Sequence, residues 1–259
     1  MLIQLALKQA LLLQRDHAHD SQQNFVTEKY RTVHGDCLKL YENTVFHLNR
    51  TLESLDLKKG FSAVDTQTWL TTALTNIRTC RTGAIELNAH DIMVPTESSN
   101  NITEMMIRNS LAINVDFLKQ NSSNNNQTSE TEEGAFPSWF SWHERKLVQS
   151  SLVKANFVVA KDGSGNFRTV QDALSAAAKR RYKTRFVIHV KKGVYRENVE
   201  VAVKNDNIML VGDGMKNTII TSGRSVHAGF TTYSSATAGI DGMHSLHCTR
   251  YYLPKYRRS

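Results

Sequence analysis

A chain of 259 residues, 40% of them hydrophobic, has room for one large or two modest domains. Its formal net charge of +8 is unevenly held: residues 1–120 carry 12 basic against 13 acidic side chains, 121–150 carry 2 against 4, and 151–259 carry 18 against 7. The basic half favours polyanions, either nucleic acid or acidic polysaccharide, but it has no zinc-finger spacing, RRM aromatic motif or recognition helix. No stretch of the chain is long and apolar enough to span a bilayer.

In chain order, Leu2, Leu5, Ala6, Gln9, Leu12 and Leu13 recur at helical spacing and predict an amphipathic helix over 2–26. It does not read as a signal peptide, since no basic n-region precedes it, Lys8 interrupts the apolar run and no small-residue cleavage site follows. A second helix over about 30–55 carries Cys37, Leu38, Tyr41, Val45, Leu48, Leu52 and Leu55 on one stripe and stops at Lys58-Lys59-Gly60. A third begins at Asp65 as its N-cap and presents Trp69, Leu70, Ala73, Leu74, Ile77 and Cys80. A fourth, over about 99–119, presents Ile102, Met105, Met106, Leu111, Ala112, Val115 and Leu118. Four amphipathic helices joined by short loops predict a four-helix bundle over 1–120.

Cys37 and Cys80 fall in the apolar stripes of the second and third helices and can face one another, as two buried thiols or as a disulfide. Four acceptor sequons, at Asn49, Asn101, Asn121 and Asn126, favour the oxidising compartment in which a disulfide forms. The latter two lie in a linker over 121–150, whose first half is Asn/Ser/Thr/Glu-rich with almost no apolar content. Pro137-Ser138-Trp139-Phe140-Ser141-Trp142 then forms an aromatic anchor, and the dibasic pair Arg145-Lys146 is exposed to a protease in such a segment.

From Asn156 the period shortens. Phe186–Val190, Val199–Val203, Ile208–Val211 and Thr218–Thr221 are short β-branched runs separated by Gly or Asn corners, the pattern of strands stacked as rungs of a parallel coil. Asp162-Gly163-Ser164-Gly165 lacks the third Gly of a dinucleotide loop and the Gly-Lys-Ser/Thr of a P-loop. It is assigned to a turn that seats a capping helix over 169–179. Lys179-Arg180-Arg181-Tyr182-Lys183 reads as a solvated basic loop.

Two families are resembled in succession. Asp36-Cys37-Leu38-Lys39-Leu40-Tyr41-Glu42-Asn43, Leu48-Asn49-Arg50-Thr51-Leu52 and Asp65 to Asn76 with Thr79-Cys80 resemble the plant pectin methylesterase inhibitor domain. That resemblance implies a helical bundle with a Cys37–Cys80 disulfide, and it makes Arg145-Lys146 similar to the family's processing site. Val158 to Phe167 with Thr169 to Leu174, Gly193-Val194-Tyr195-Arg196-Glu197, Gly212-Asp213-Gly214 and Gly229 to Thr237 resemble the opening of the plant pectin methylesterase catalytic domain. This second resemblance implies a right-handed parallel β-helix, with Thr232 touching the sugar chain and Tyr233 lining the cleft. A hydroxyl can bond sugar or carboxylate oxygens, and an aromatic face can stack on a pyranose ring.

The resemblance is read as ending at Gly242. Residues 243–259 show no strand alternation and none of the family's catalytic carboxylate motifs; His244, His247 and Cys248 lack the fourth ligand and supporting fold of a metal or Cys-His site. The expected protein is mixed in fold: an inhibitor-like bundle over 1–120, a linker over 121–150, the first rungs of a β-helix over 151–242, and a divergent basic tail. It reads as a pectinesterase precursor truncated at both ends, lacking the family's N-terminal hairpin and secretory signal, destined by resemblance for the cell wall. Its implied partners are pectin, a processing protease and, through the bundle, a pectinesterase; no cofactor, metal, nucleic acid or membrane partner is implied. Without the catalytic Asp pair it is expected not to hydrolyse methyl esters, and the alternative is a non-catalytic inhibitor acting through the bundle.

Overall fold

The structure, a computed structural model, describes residues 1–20, 27–55, 63–89, 91–92, 97–122, 154–180, 184–203, 205–214, 216–241 and 246–249. It divides into two compact units: Met1–Thr128 together with Arg224–Ser235, and Ser129–Gly223 together with Ala236–Ser259.

The first unit is built on four long helices, α1 (Leu2–Asp20), α2 (Glu28–Ser54), α3 (Ala63–Glu86) and α4 (Glu97–Ser122). The helix α2 starts where Thr27, in an extended conformation, turns its hydroxyl to the Tyr30 N–H, satisfying one of the donors a helix start leaves open. In α3 the first turn begins at Ala63, so Asp65 lies inside the helix as its acidic first-turn residue and is not the N-cap. There its charge still complements the helix dipole. Helix α2 packs on α1 and α3, and α4 packs on the same two. Trp69, Tyr41, Leu13, Leu48, Leu70 and Ile77 are fully buried among them. The Tyr41 hydroxyl accepts from Asn100 Nδ2 at 3.1 Å, so a large apolar ring is buried with its polar end satisfied. The rings of His17 and His34 stack at 4.2 Å, and each Nε2 bonds the other's backbone carbonyl, at 3.2 and 2.7 Å, tying α1 to α2. Glu104 on α4 takes two hydrogen bonds from Arg78 on α3, at 3.0 and 2.7 Å.

The second unit is a parallel-strand unit. Strands β1 (Phe157–Val159), β2 (Phe186–Val190), β3 (Gly193–Arg196), β4 (Val199–Val201), β5 (Ile208–Gly212), β6 (Thr218–Thr221), β7 (Ala238–Ile240) and β8 (Leu246–Thr249) pair in three sheets, ordered β1-β2-β5-β8, β3-β6 and β4-β7. Every pairing is parallel, with paired residues from 22 apart in sequence, as in Ile188 with Leu210, to 39 apart, as in Val199 with Ala238. The strands are short, so each sheet face is closed by residues from several strands. Val159, Ile188, Val190, Tyr195, Val199, Val201, Ile208 and Leu210 make one core, which α5 (Val170–Ala177) joins through Val170, Ala173, Leu174 and Ala177. The strand β8 departs from expectation. Leu246–Thr249 falls in the tail read as lacking strand character, yet it pairs with Met209–Gly212 of β5 in parallel register. Its four residues carry too short a pattern to announce a strand, and the edge of β5 supplies the ladder that fixes them.

Among the described residues no helix is long and apolar enough to cross a membrane.

Candidate functional site

The segment Arg224–Ser235 stands between β6 and β7 in sequence but belongs with the helices in space. Ser225, extended, caps a 3-10 turn over Val226–Ala228 by accepting from the Ala228 N–H at 3.3 Å. Gly229 ends that turn at φ 88°, a left-handed conformation that costs a residue without Cβ little. Arg224 lies over the Phe230 ring at 4.9 Å. The short helix α6 (Thr232–Ser235) follows. Thr231 precedes it as a cap: its Oγ1 accepts from the Ser234 N–H at 3.1 Å, and its carbonyl accepts from the Ser235 N–H at 2.9 Å.

Three consecutive residues of this segment bind α2 and α3. Thr231 is 1% exposed, and its Oγ1 donates to Asp36 Oδ2 at 2.6 Å. Thr232 gives both its donors to one carboxylate: the backbone N–H to Glu86 Oε2 at 2.8 Å and Oγ1 to Glu86 Oε1 at 2.7 Å. Tyr233 is half-buried and packs on the cluster that holds Cys37, Cys80, Tyr41 and Leu87, with Lys39 Nζ 5.5 Å from its ring centre. Gly83 on α3 makes the approach possible, because a Cβ there would stand 2.9 Å from Thr231 Cγ2. Burial pushes the Asp36 carboxyl above its ordinary value, against the lowering effect of hydrogen bonds from Thr231 and Ser234 and of the Lys39 and Arg224 charges.

The residues named from sequence are thus distributed as follows. Thr232 and Tyr233 sit side by side against α2 and α3, and Cys37 and Cys80 are joined by a disulfide within the cluster that Tyr233 covers. Asn49 is exposed on α2, and Asn101, exposed on α4, accepts from Arg81 at 2.6 Å through its Oδ1. The hydroxyl residues of these two sequons, Thr51 and Thr103, are fully buried and bonded to backbone carbonyls four residues back. Asn121 lies in the last turn of α4 by its backbone. Asn126, Arg145, Lys146 and His244 lie outside the described residues. The backbone of His247 and Cys248 belongs to β8, and among the described residues no group of three or more His, Cys, Asp or Glu side chains could hold a metal ion.

Asp36, Glu86, Lys39, Gly83 and Thr231 are the members that sequence reasoning missed. Asp36 and Thr231 are 195 positions apart, and no local spacing connects them. Another residue of the family-like motifs is structural: Glu197 accepts from the N–H groups of Val170 and Gln171, at 3.1 and 3.0 Å, and so closes the start of α5. The Gly163 to Gly165 turn is likewise packed against backbone, since a Cβ at Gly165 would lie 2.5 Å from the Val158 carbonyl.

Fold and site define a protein of two units, one helical and one of parallel strands, the helical unit including a hydroxyl-rich segment that falls between β6 and β7 in sequence. The family model for the plant invertase/pectin methylesterase inhibitor matches residues 1–113, and that for pectinesterase matches residues 156–248. The second match runs past Gly242, so the resemblance extends into the tail, where β8 lies. An Arabidopsis thaliana protein titled probable pectinesterase/pectinesterase inhibitor 60 is 49% identical over 88% of this chain and 42% of its own length. Pectinesterase 2 of Citrus sinensis is 41% identical over 93% of this chain and 43% of its own. A solved pectin methylesterase from carrot is 52% identical where matched, covering 38% of this chain and 31% of that one with a TM-score of 0.36. The chain belongs to the plant pectinesterases that carry an N-terminal inhibitor-like domain. It spans less than half the length of these curated relatives.

Proposed function

We propose that these residues form the inhibitor-like part and the opening of the ester-hydrolysing part of a pectinesterase, and that the first holds a pectin-contacting segment of the second. The observation that carries this reading is that Thr232, the residue assigned to the sugar chain, has its N–H and its hydroxyl committed to Glu86. In this reading α1–α4 form a four-helix bundle, and the three parallel sheets are the faces of a right-handed β-helix. The whole protein hydrolyses methyl esters of homogalacturonan to carboxylate and methanol in the cell wall. Arg145-Lys146 is where a protease parts the two units, and Asn49, Asn101, Asn121 and Asn126 are acceptors for glycans added along the secretory route.

That hydrolysis in this family needs one carboxylate as nucleophile, a second as general acid and then base, and polar donors on the oxyanion. None of the carboxylates in these 259 residues stands in a matching motif. Asp36 and Glu86 are committed to Thr231 and Thr232, and Glu197 to the start of α5. Positioning without a nucleophile gives binding and no turnover. The test is methanol release from methylesterified pectin by the purified chain beside a full-length relative. We expect no release above background, and turnover that survives Thr232→Ala would overturn the assignment. The second reading, inhibition of a separate pectinesterase, is supported by the same α2–α3 face, which accepts a Thr-Thr-Tyr segment and has no need of covalent continuity with it.

A further inference from the structure

We propose that folding of the helical unit decides which of its two helix-borne sequons receives a glycan: Asn49 is filled before α2 closes, Asn101 is filled only when α4 is delayed, and neither is an acceptor in the folded chain. The proposal rests on the reading that this chain enters the secretory route. The Cys37–Cys80 disulfide supports that reading apart from any resemblance, since such bonds form and persist in oxidising compartments.

A sequon works through two side chains, the Asn whose Nδ2 takes the sugar and the hydroxyl residue two positions on. In an extended chain, side chains two positions apart share a face. On a helix they stand about 200° apart, so a transferase cannot meet both at once. Asn49 on α2 and Asn101 on α4 are exposed, and their hydroxyl partners are turned inward. Thr51 and Thr103 are 0% exposed and donate to the carbonyls of His47 and Ser99, at 2.9 and 2.6 Å. In the transfer, Nδ2 bonds to the anomeric carbon of a lipid-diphosphate-linked sugar. The carbon–oxygen bond to the diphosphate breaks, the diphosphate leaves with the electron pair, and an amide proton passes to a base of the transferase. The helix must be open at that moment. Once attached, both sugars fit the closed helices, since Asn49 faces solvent and Arg81 holds Asn101 by Oδ1, the oxygen that substitution at Nδ2 leaves in place.

The two sites differ in what has been made when they emerge, because a chain folds from its N-terminus during synthesis. Helix α2 packs on α1, which precedes it, and on α3, which follows it, and its cross-link to Cys80 also waits for α3. A helix without its packing partner is marginal, so the Asn49 sequon stays open while α3 is still being made. Helix α4 packs on α1 and α3, both made before it. Asn100, beside the second sequon, is 1% exposed and donates to the Tyr41 hydroxyl of α2 at 3.1 Å, so α4 closes directly onto a surface already formed.

The experiment expresses the full chain behind an added secretory leader in eukaryotic cells and maps glycan occupancy at each sequon by peptide mass spectrometry. Asn49 is expected to be nearly filled and Asn101 to be filled in a minor fraction of chains. Ile107→Ala, which empties a fully buried position of α4, should raise Asn101 occupancy at least about twofold and leave Asn49 as it was. A second measurement does not depend on secretion of the variant. The purified, disulfide-bonded chain, given transferase and lipid-linked oligosaccharide, should take no sugar at Asn49 or Asn101, and the reduced and alkylated chain should take it at both. Transfer to either Asn in the folded chain would overturn the proposal, as would equal filling of the two sites that Ile107→Ala leaves unchanged. Free thiols at Cys37 and Cys80 in the secreted material would overturn the oxidising-route reading on which the proposal rests.

Discussion

At the scale of single residues, the hold on Thr231 and Thr232 depends on one missing methyl group and on buried or half-buried carboxyl groups. Gly83 sits in a helix interior, where Ala would ordinarily be favoured by about 1 kcal/mol. Here the added Cβ would meet the buried Thr231 side chain at 2.9 Å. Thr231 cannot rotate away without losing both Asp36 and its role as a cap. We expect Gly83→Ala to displace the segment, with an overpacking cost of roughly 1–3 kcal/mol that offsets the gain in helix propensity. Limited proteolysis should then cut within 224–235 faster than in the parent, and unchanged protection would show that α3 can yield. Asp36 adds a dependence on pH. Burial, the largest influence, raises its pKa in the folded chain above the ordinary 3.8, so the folded chain binds the proton more readily than the unfolded one. The contribution of Asp36 to stability is therefore greatest below the unfolded-state value and is lost as pH rises through the raised one. The contribution of this carboxyl to the urea midpoint should grow on acidification through that range, and Asp36→Asn, which still offers an oxygen to Thr231, should flatten that dependence.

Among the elements, α5 shows how much of the strand unit is organised around one short helix. Eight residues make a marginal helix in isolation, and this one is held by its apolar face and by its first turn. The Thr169 hydroxyl accepts from the Asp172 N–H, and Glu197 accepts from the N–H groups of Val170 and Gln171. Three of the donors that a helix start leaves open are thereby satisfied. The Gln171 amide in turn accepts from the Glu200 N–H at 2.7 Å, tying the helix to β4. Thr169→Ala should cost about 1 kcal/mol. Glu197→Ala, which leaves two donors without their acceptor, should cost roughly 2 kcal/mol. Both would be measured as shifts in the urea midpoint at unchanged slope. If Glu197→Ala were neutral, its place in the family-like motif would need a reason other than capping. This helix was legible in the sequence because Thr169 and the Val170, Ala173, Leu174, Ala177 spacing are local. The start of α3 was not, since Asp65 and Ala63 are both acceptable near a helix start and only the backbone decides between them. The turn over Thr232–Ser235 was legible as a motif but not as a helix. Its conformation is set by the Thr231 cap and by carboxylates on helices far away in sequence.

On the scale of the molecule, the order of helices and then parallel strands could be read from the change of period at Asn156, because both periodicities are properties of neighbouring residues. The return of Arg224–Ser235 to the helices could not, since it is decided by pairings such as Thr232 with Glu86, 146 positions apart. The charge distribution is a third molecular property, and it bears on the proposed contact with pectin. Residues 151–259 carry 18 basic against 7 acidic side chains, so their attraction to a polyuronate is largely long-range and subject to screening. The screening length falls from about 10 Å at 0.1 M salt to about 3 Å at 1 M, which spares short hydrogen bonds and removes most of the diffuse attraction. Binding of the chain to de-esterified pectin should weaken steeply over that range, and binding to a fully methyl-esterified polymer should be weak at both ends of it. Sedimentation of the protein with each polymer, at stepped salt, measures the difference. Binding that ignored salt would mean that contacts near Thr232 and Tyr233 carry the affinity and that the basic surface does not.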